Sequence, residues 1–169
     1  MIFLTVGTYP LPFDRLVKAT DTAITDGLIE EEVFAQIGLC SYRPQNMEYV
    51  EMLQKEAFDS YFQKASSVIS HAGIGTITMA LDNEKPLLVM PRMKRYKEHV
   101  NDHQIDTARE FGELGHILVA YDVEDLPDGI RKLKSFIPKE RKASPEAVAD
   151  RIGRFLNSLG ECHRVRAWD

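Results

Sequence analysis

The chain has 169 residues, 44% of them hydrophobic and 28% charged, with a formal charge of −5. This suits one folded domain with its own core, expected over residues 1–160 with a tail at 161–169, and it argues against broad nucleic-acid binding. Cys40 and Cys162 form no Cys-x-x-Cys, which fits a reducing compartment. No signal peptide is expected, because Ile2–Val6 is too short, and no apolar run approaches the roughly 20 residues that cross a bilayer.

The first predicted element is "IFLTV" (2–6), a buried-strand run ending at Gly7. Phe13, Leu16, Val17, Thr20 and Ile24 then recur at helical spacing, with Gly27 as the stop. "VFAQI" (33–37) is a second strand, "MEYVEM" (47–52) a short third, and Phe58, Tyr61, Phe62 and Ala65 mark a short helix. "SVIS" (67–70) is a strand, followed by a helix from Ile74 to Leu81. "PLLVMP" (86–91) is a strand boxed by prolines, residues 102–112 are helical, and "HILVAY" (116–121) is the last strand. Two more helices are expected, over about 124–135 and 145–158, joined by the linker-like "IPKERKASP" (137–145). Strands that are apolar throughout, alternating with helices, predict an α/β fold: a Rossmann-like parallel sheet with helices on both faces. Ligands of such sheets sit at the carboxyl ends of the strands, where the loops after Val6, Ile37 and Ser70 converge.

Three stretches carry candidate chemistry. In "HAGIGT" (71–76), a helix N-terminus offers unpaired N–H groups and a positive dipole end. Gly73 and Gly75 remove the Cβ atoms that would block an anion, Thr76 adds a hydroxyl, and His71 is a further donor, so the loop suits a diphosphate. It lacks the Gly-Lys-Ser/Thr of a P-loop and the full Gly-x-Gly-x-x-Gly, and a glycine turn that only packs helix on strand is the alternative. "GTYPLPFDRL" (7–16) is a second phosphate candidate through Gly7 and Thr8; the alternative is an ordinary strand exit. In "RMKRYKEHVNDHQIDTA" (92–108), Asn101, Asp102, His103 and Gln104 suit sugar hydroxyls, while Arg92, Lys94, Arg95 and Lys97 form a basic patch. Asn101 or Asp102 can equally serve as a helix N-cap. His99 and His103 have i,i+4 spacing but no zincin glutamate, and no metal is expected there. Asp-x-Asp and Gly-x-Ser-x-Gly are both absent.

"TVGTYPLPFDRL", "SSVISHAGIGTITMAL", "KPLLVMPR" and "EHVNDHQIDTA" follow one another in an order that resembles the glycosyltransferase family 28 C-terminal domain. The likeness extends to its single-domain PssE-type branch, from exopolysaccharide and capsule synthesis, and to the donor-binding half of MurG. It covers about residues 1–125 and four ordered motifs. The resemblance implies half of a GT-B enzyme that binds a UDP-sugar as substrate, without a metal or other cofactor. The acceptor, a polyprenyl-diphosphate-linked glycan, would be held by a separate membrane-associated PssD-type subunit, which would keep this chain cytoplasmic and peripheral at the inner face of the membrane. It implies donor contacts from Gly7, Thr8, His71, Gly73, Ile74, Gly75 and Thr76 to the diphosphate, and from Asn101, Asp102, His103 and Gln104 to the sugar. His71, His99 and His103 are candidate catalytic groups, and the general base is left unassigned. Two positions depart from the pattern: Met79 replaces a glutamate that holds the ribose in many members, and Tyr9 replaces a histidine frequent in the PssE-type branch. A non-catalytic accessory subunit is the alternative that Met79 favours.

Overall fold

The computed structural model describes residues 1–140 and, beyond them, Asp150 and Arg154. Six parallel strands form one sheet: β1 (Ile2–Thr5), β2 (Val33–Gln36), β3 (Glu48–Val50), β4 (Ser67–His71), β5 (Leu87–Met90) and β6 (Leu118–Val119), in the order β3-β2-β1-β4-β5-β6. The helices are α1 (Asp14–Thr25), α2 (Lys55–Lys64), α3 (Ile74–Asp82), α4 (His103–Glu113) and α5 (Leu126–Leu133). This is the predicted doubly covered parallel sheet.

The strand period of two divides the core. Ile2, Leu4, Ile69, Leu88 and Met90 point to one face, where they meet Leu16 and Val17 of α1 and Leu126, Ile130 and Leu133 of α5. Phe3, Val68, Leu87 and Val89 point to the other, against Phe62 of α2, Ile77 and Ala80 of α3 and Ala108 of α4. The strands β1, β2 and β5 are buried at every residue, as a parallel sheet covered on both sides requires.

Several boundaries differ from expectation. Helix α2 begins at Lys55, three residues before its first aromatic. The edge strands are shorter than their apolar runs, because pairing stops at Glu48–Val50 on one side and Leu118–Val119 on the other. A 3-10 turn at Val123–Asp125, closed by a capping box from Asp122 to Asp125, leads into α5. The helix expected at 145–158 and the tail at 161–169 lie outside the described residues. No helix among the described residues is long and apolar enough to cross a membrane.

Candidate functional site at the carboxyl edge of the sheet

The chain order reverses between β1 and β4: β1 is followed in space by β2 on one side and by β4 on the other. The loops leaving these two strands diverge there and leave a cleft of about 490 Å³. Gly7 and Thr8 line it from the loop after β1, His71 from the end of β4, and Gly75, Thr76 and Met79 from α3. Gln36, Leu53, Lys55 and Phe58 close it on the β2–α2 side. Five of the predicted donor-binding residues are thus brought together.

Glycine spacing in this cleft has a different meaning at each position. At Gly75 a Cβ would enter open space, at the first turn of α3, where the helix amides have no intrahelical partner. Gly73 and Gly7 make room for a side chain of the protein itself. A Cβ on Gly73 would lie 2.2 Å from His71 Nε2, and one on Gly7 would lie 2.5 Å from His71 Cε1. The His71 ring is therefore held between two glycines, one of which, Gly7, also needs its φ of +74°. This corrects the expectation that Gly73 is open to an anion.

His71 Nδ1 is buried and has no hydrogen-bond partner among the described residues. Burial, and after it the charge of Arg92, push the His71 pKa down to about 4, so its ring is neutral near pH 7. A neutral imidazole can donate one hydrogen bond into the cleft without bringing a charge.

Gln36 went unnoticed in the sequence, although a polar residue inside the apolar "VFAQI" is the signal for it. It is buried. Its Nε2 donates to Thr5 Oγ1 and to the Gly7 carbonyl, both at 3.4 Å, and its Oε1 accepts from the Leu53 amide at 3.1 Å. One side chain thereby ties the loop after β1 to the segment that begins α2. Lys55, at the start of α2, is the cation lining the cleft; it forms an i,i+4 pair with Asp59.

The second predicted cluster stands beside the cleft, and none of its members lines it. Asn101, Asp102 and His103 are exposed at the start of α4. Asn101 Oδ1 accepts from the His103 amide and contacts its ring, and Asp102 Oδ1 accepts from the Lys94 amide at 2.7 Å. His99 stacks on Tyr9 with centroids 4.2 Å apart, and His103 meets His99 edge-on at 4.7 Å. Tyr9 follows Thr8 directly, so this stack joins the cluster to the cleft loop. Gln104 departs from expectation: it is buried, and its Oε1 accepts from the Arg92 amide at 3.1 Å, so it braces the loop after β5 from inside. Ile74 is 58% exposed at the start of α3. Among the described residues no group of three or more histidines, cysteines or acids is gathered as for a metal ion.

Arg92 also contradicts its sequence reading. It is fully buried and belongs to no surface patch. Lys94, Arg95 and Lys97 remain exposed, and Arg95 is paired with Asp122 at 2.6 Å. Cys40 is buried too: its Sγ accepts from the Phe13 amide at 3.2 Å, and burial raises its pKa to about 11. It is a packing residue and no nucleophile.

Comparison with known proteins places this geometry. The profile of the glycosyltransferase family 28 C-terminal domain matches residues 1–155. The UDP-N-acetylglucosamine transferase subunit ALG13 of Cryptococcus neoformans (strain JEC21) is 33% identical over 118 residues, 68% of this chain and 56% of that protein. The Homo sapiens protein of the same name is 30% identical over 125 residues, 69% of this chain and 10% of that protein. The chain thus spans about half the length of the fungal relative and a tenth of the human one. Among solved structures, the kitacinnamycin glycotransferase superposes with a TM-score of 0.60 at 21% identity, covering 90% of this chain and 37% of that one. Acinetobacter baumannii MurG does so with a TM-score of 0.54 at 19% identity, covering 78% and 39%. At such identities these two show a shared fold, the Rossmann-like half of a GT-B glycosyltransferase. With the family profile extending over nearly all of the chain and that fold beneath it, the chain belongs to glycosyltransferase family 28, as a C-terminal domain of that family.

Proposed function

We propose that this chain is the donor-binding subunit of an inverting, two-component glycosyltransferase. It takes a sugar from a UDP-sugar and delivers it to a polyprenyl-diphosphate-linked acceptor in exopolysaccharide or capsule synthesis. The observation that carries the reading is the first turn of α3. Its amides, Gly75 and the Thr76 hydroxyl open into the same cleft as Gly7 and Thr8, a geometry suited to a diphosphate. The apolar wall of Leu53, Phe58 and Met79 suits the nucleoside. The exposed Asn101–His103 cluster, linked to the cleft through His99 and Tyr9, is assigned to the donor sugar.

In the transfer, the acceptor hydroxyl oxygen attacks the anomeric carbon. The bond from that carbon to the phosphate oxygen breaks, and UDP leaves with the electron pair. Charge grows on the departing diphosphate, which would meet the first-turn amides of α3 and the Thr76 hydroxyl in place, so the stabilisation would need no rearrangement. No metal is needed in this scheme. His71, with a pKa of about 4, is a poor general base near neutral pH and serves as a hydrogen-bond donor. The proton of the acceptor hydroxyl is assigned to a base on the partner.

Support for a partner comes from the same edge of the sheet. Leu39 (61% exposed), Met52 (50%) and Ile74 (58%) each stand in solvent two or three residues after a different strand, and Val100 (65%) is exposed in the loop after β5, so apolar surface is displayed along the rim of this edge. A membrane-associated, acceptor-binding subunit of the PssD type would cover this rim and hold the chain peripherally at the membrane. The names of the curated relatives, each a transferase subunit, agree with a divided enzyme.

The deciding experiment is turnover of a panel of UDP-sugars onto a lipid-linked acceptor, with the chain alone and with its partner. Transfer that requires both supports the reading; robust transfer by the lone chain refutes the two-subunit scheme. Binding of UDP and of the partner without any turnover would favour the accessory-subunit reading, to which the apolar Met79 in the cleft lends support.

A further inference from the structure

We infer that Arg92 is the electrostatic anchor of the diphosphate site, a positioning residue that shapes the loop from Gly7 to Pro12 and supplies the positive potential beneath it without touching the ligand. This rests on the nucleotide reading above. Arg92 is the largest of the fully buried side chains, with 0% exposure. Its guanidinium donates to the Val6 carbonyl at 2.8 Å, to Leu11 at 2.9 Å, to Pro12 at 3.2 Å and to Glu98 at 3.2 Å. Three of these four carbonyls bracket the loop that carries Gly7 and Thr8 into the cleft. The fourth lies at the other end of the loop after β5.

What the guanidinium lacks is a direct ion pair, although the charge of the buried Glu98 acts on it. Among the described residues it forms no ion pair, and its Nε has no partner. Glu98, the acid nearest in sequence, turns its carboxylate to Arg15 at 3.0 Å and to the Met93 amide at 3.1 Å. A guanidinium does not shed its proton, so the charge persists in the interior, eased by carbonyl dipoles and by the Phe13 ring at 4.8 Å. Burying an unpaired charge is costly, and proteins retain such a group when something else meets its field. The cleft is where that field is felt: the Arg92 charge is the second cause, after burial, of the low pKa of His71, which lines it. A field that repels a proton from His71 attracts a diphosphate to the same place.

A simple staple would hold the loop and nothing more, and the ratio of UDP affinity to uridine affinity separates the two roles. Both ligands need the loop, and only UDP carries the charge. Titrations of the full chain, by calorimetry for UDP and ligand-observed NMR for uridine, give the ratio for wild type, Arg92→Met and Arg92→Lys. The anchor predicts that Arg92→Met lowers the ratio about tenfold or more, while Arg92→Lys, which keeps the charge and loses the fork, holds it within about threefold. Equal losses for UDP and uridine in Arg92→Met overturn the inference and leave a staple. If Arg92→Met does not fold, the neutral, hydrogen-bonding Arg92→Gln takes its place: a roughly tenfold fall in the ratio supports the anchor, and an unchanged ratio overturns it. Wild-type protein that binds neither ligand refutes the nucleotide reading itself, and this inference with it.

Discussion

Acidification from pH 7 to pH 5 should cost the folded protein about 2 kcal/mol through a single side chain, His71. Its pKa falls from the ordinary 6.5 to about 4 on folding, chiefly because burial disfavours the imidazolium. The unfolded chain therefore takes up a proton near pH 6.5 that the folded chain refuses until about pH 4. Stability is complete above pH 6.5 and declines through that window, in the direction linkage requires when the unfolded state binds more protons. Integrating the two titration curves from pH 7 to pH 5 gives the figure of about 2 kcal/mol. The assay is urea denaturation at the two pH values for wild type and for His71→Asn, whose side chain does not titrate and fits between Gly7 and Gly73. Aspartates and glutamates titrate mostly below pH 5, and the low-lying His99 is present in both proteins, so the difference isolates His71. A His71→Asn variant that loses as much stability on acidification as wild type would refute the argument.

Gly75→Val should fold normally yet weaken UDP binding about tenfold by calorimetry, because its side chain enters the open cleft beside the α3 amides. Gly73→Val should instead lower the urea midpoint, since its Cβ displaces the His71 ring; equal stability of the two variants would contradict the packing described. Turnover by the complex with its partner should survive chelation; abolition by EDTA and rescue by a divalent ion would refute the metal-free scheme. Cys40 should resist iodoacetamide at pH 8 in the native protein and react in urea, as read by peptide mass spectrometry.

The parallel sheet was legible because its strands are continuous apolar runs, and their burial on both faces is what such runs encode. The edge strands were read too long because apolarity reports burial, while strand length is set by hydrogen bonding to a neighbour that ends early. The glycine loop was recognised as a close approach, yet spacing could not show that Gly73 faces a histidine ring and Gly75 faces open space. Arg92 was misread for a similar reason. Three exposed cations follow it within five residues, but three of its four carbonyl partners belong to residues 6, 11 and 12, distant in the chain. Gln36 shows the converse: its polarity in a buried strand was visible, and its role depends on which loops the fold lays beside it.

The order of the sheet also sets an order in time. Strand β1 is synthesised before both of its neighbours, yet its place is in the middle of the sheet, where residues 2–5 pair with residues 33–36 and 67–70. Until β4 has left the ribosome, one hydrogen-bonding edge of β1 has no native partner, and the fully buried Phe3 and Leu4 are only partly covered. Parallel pairings across such sequence distances form slowly. The nascent chain thus spends its early life as an unfinished sheet with a sticky edge, open to chaperones and to aggregation alike. Slowing translation before residue 67 should raise the insoluble fraction, and slowing it after residue 90 should do so far less.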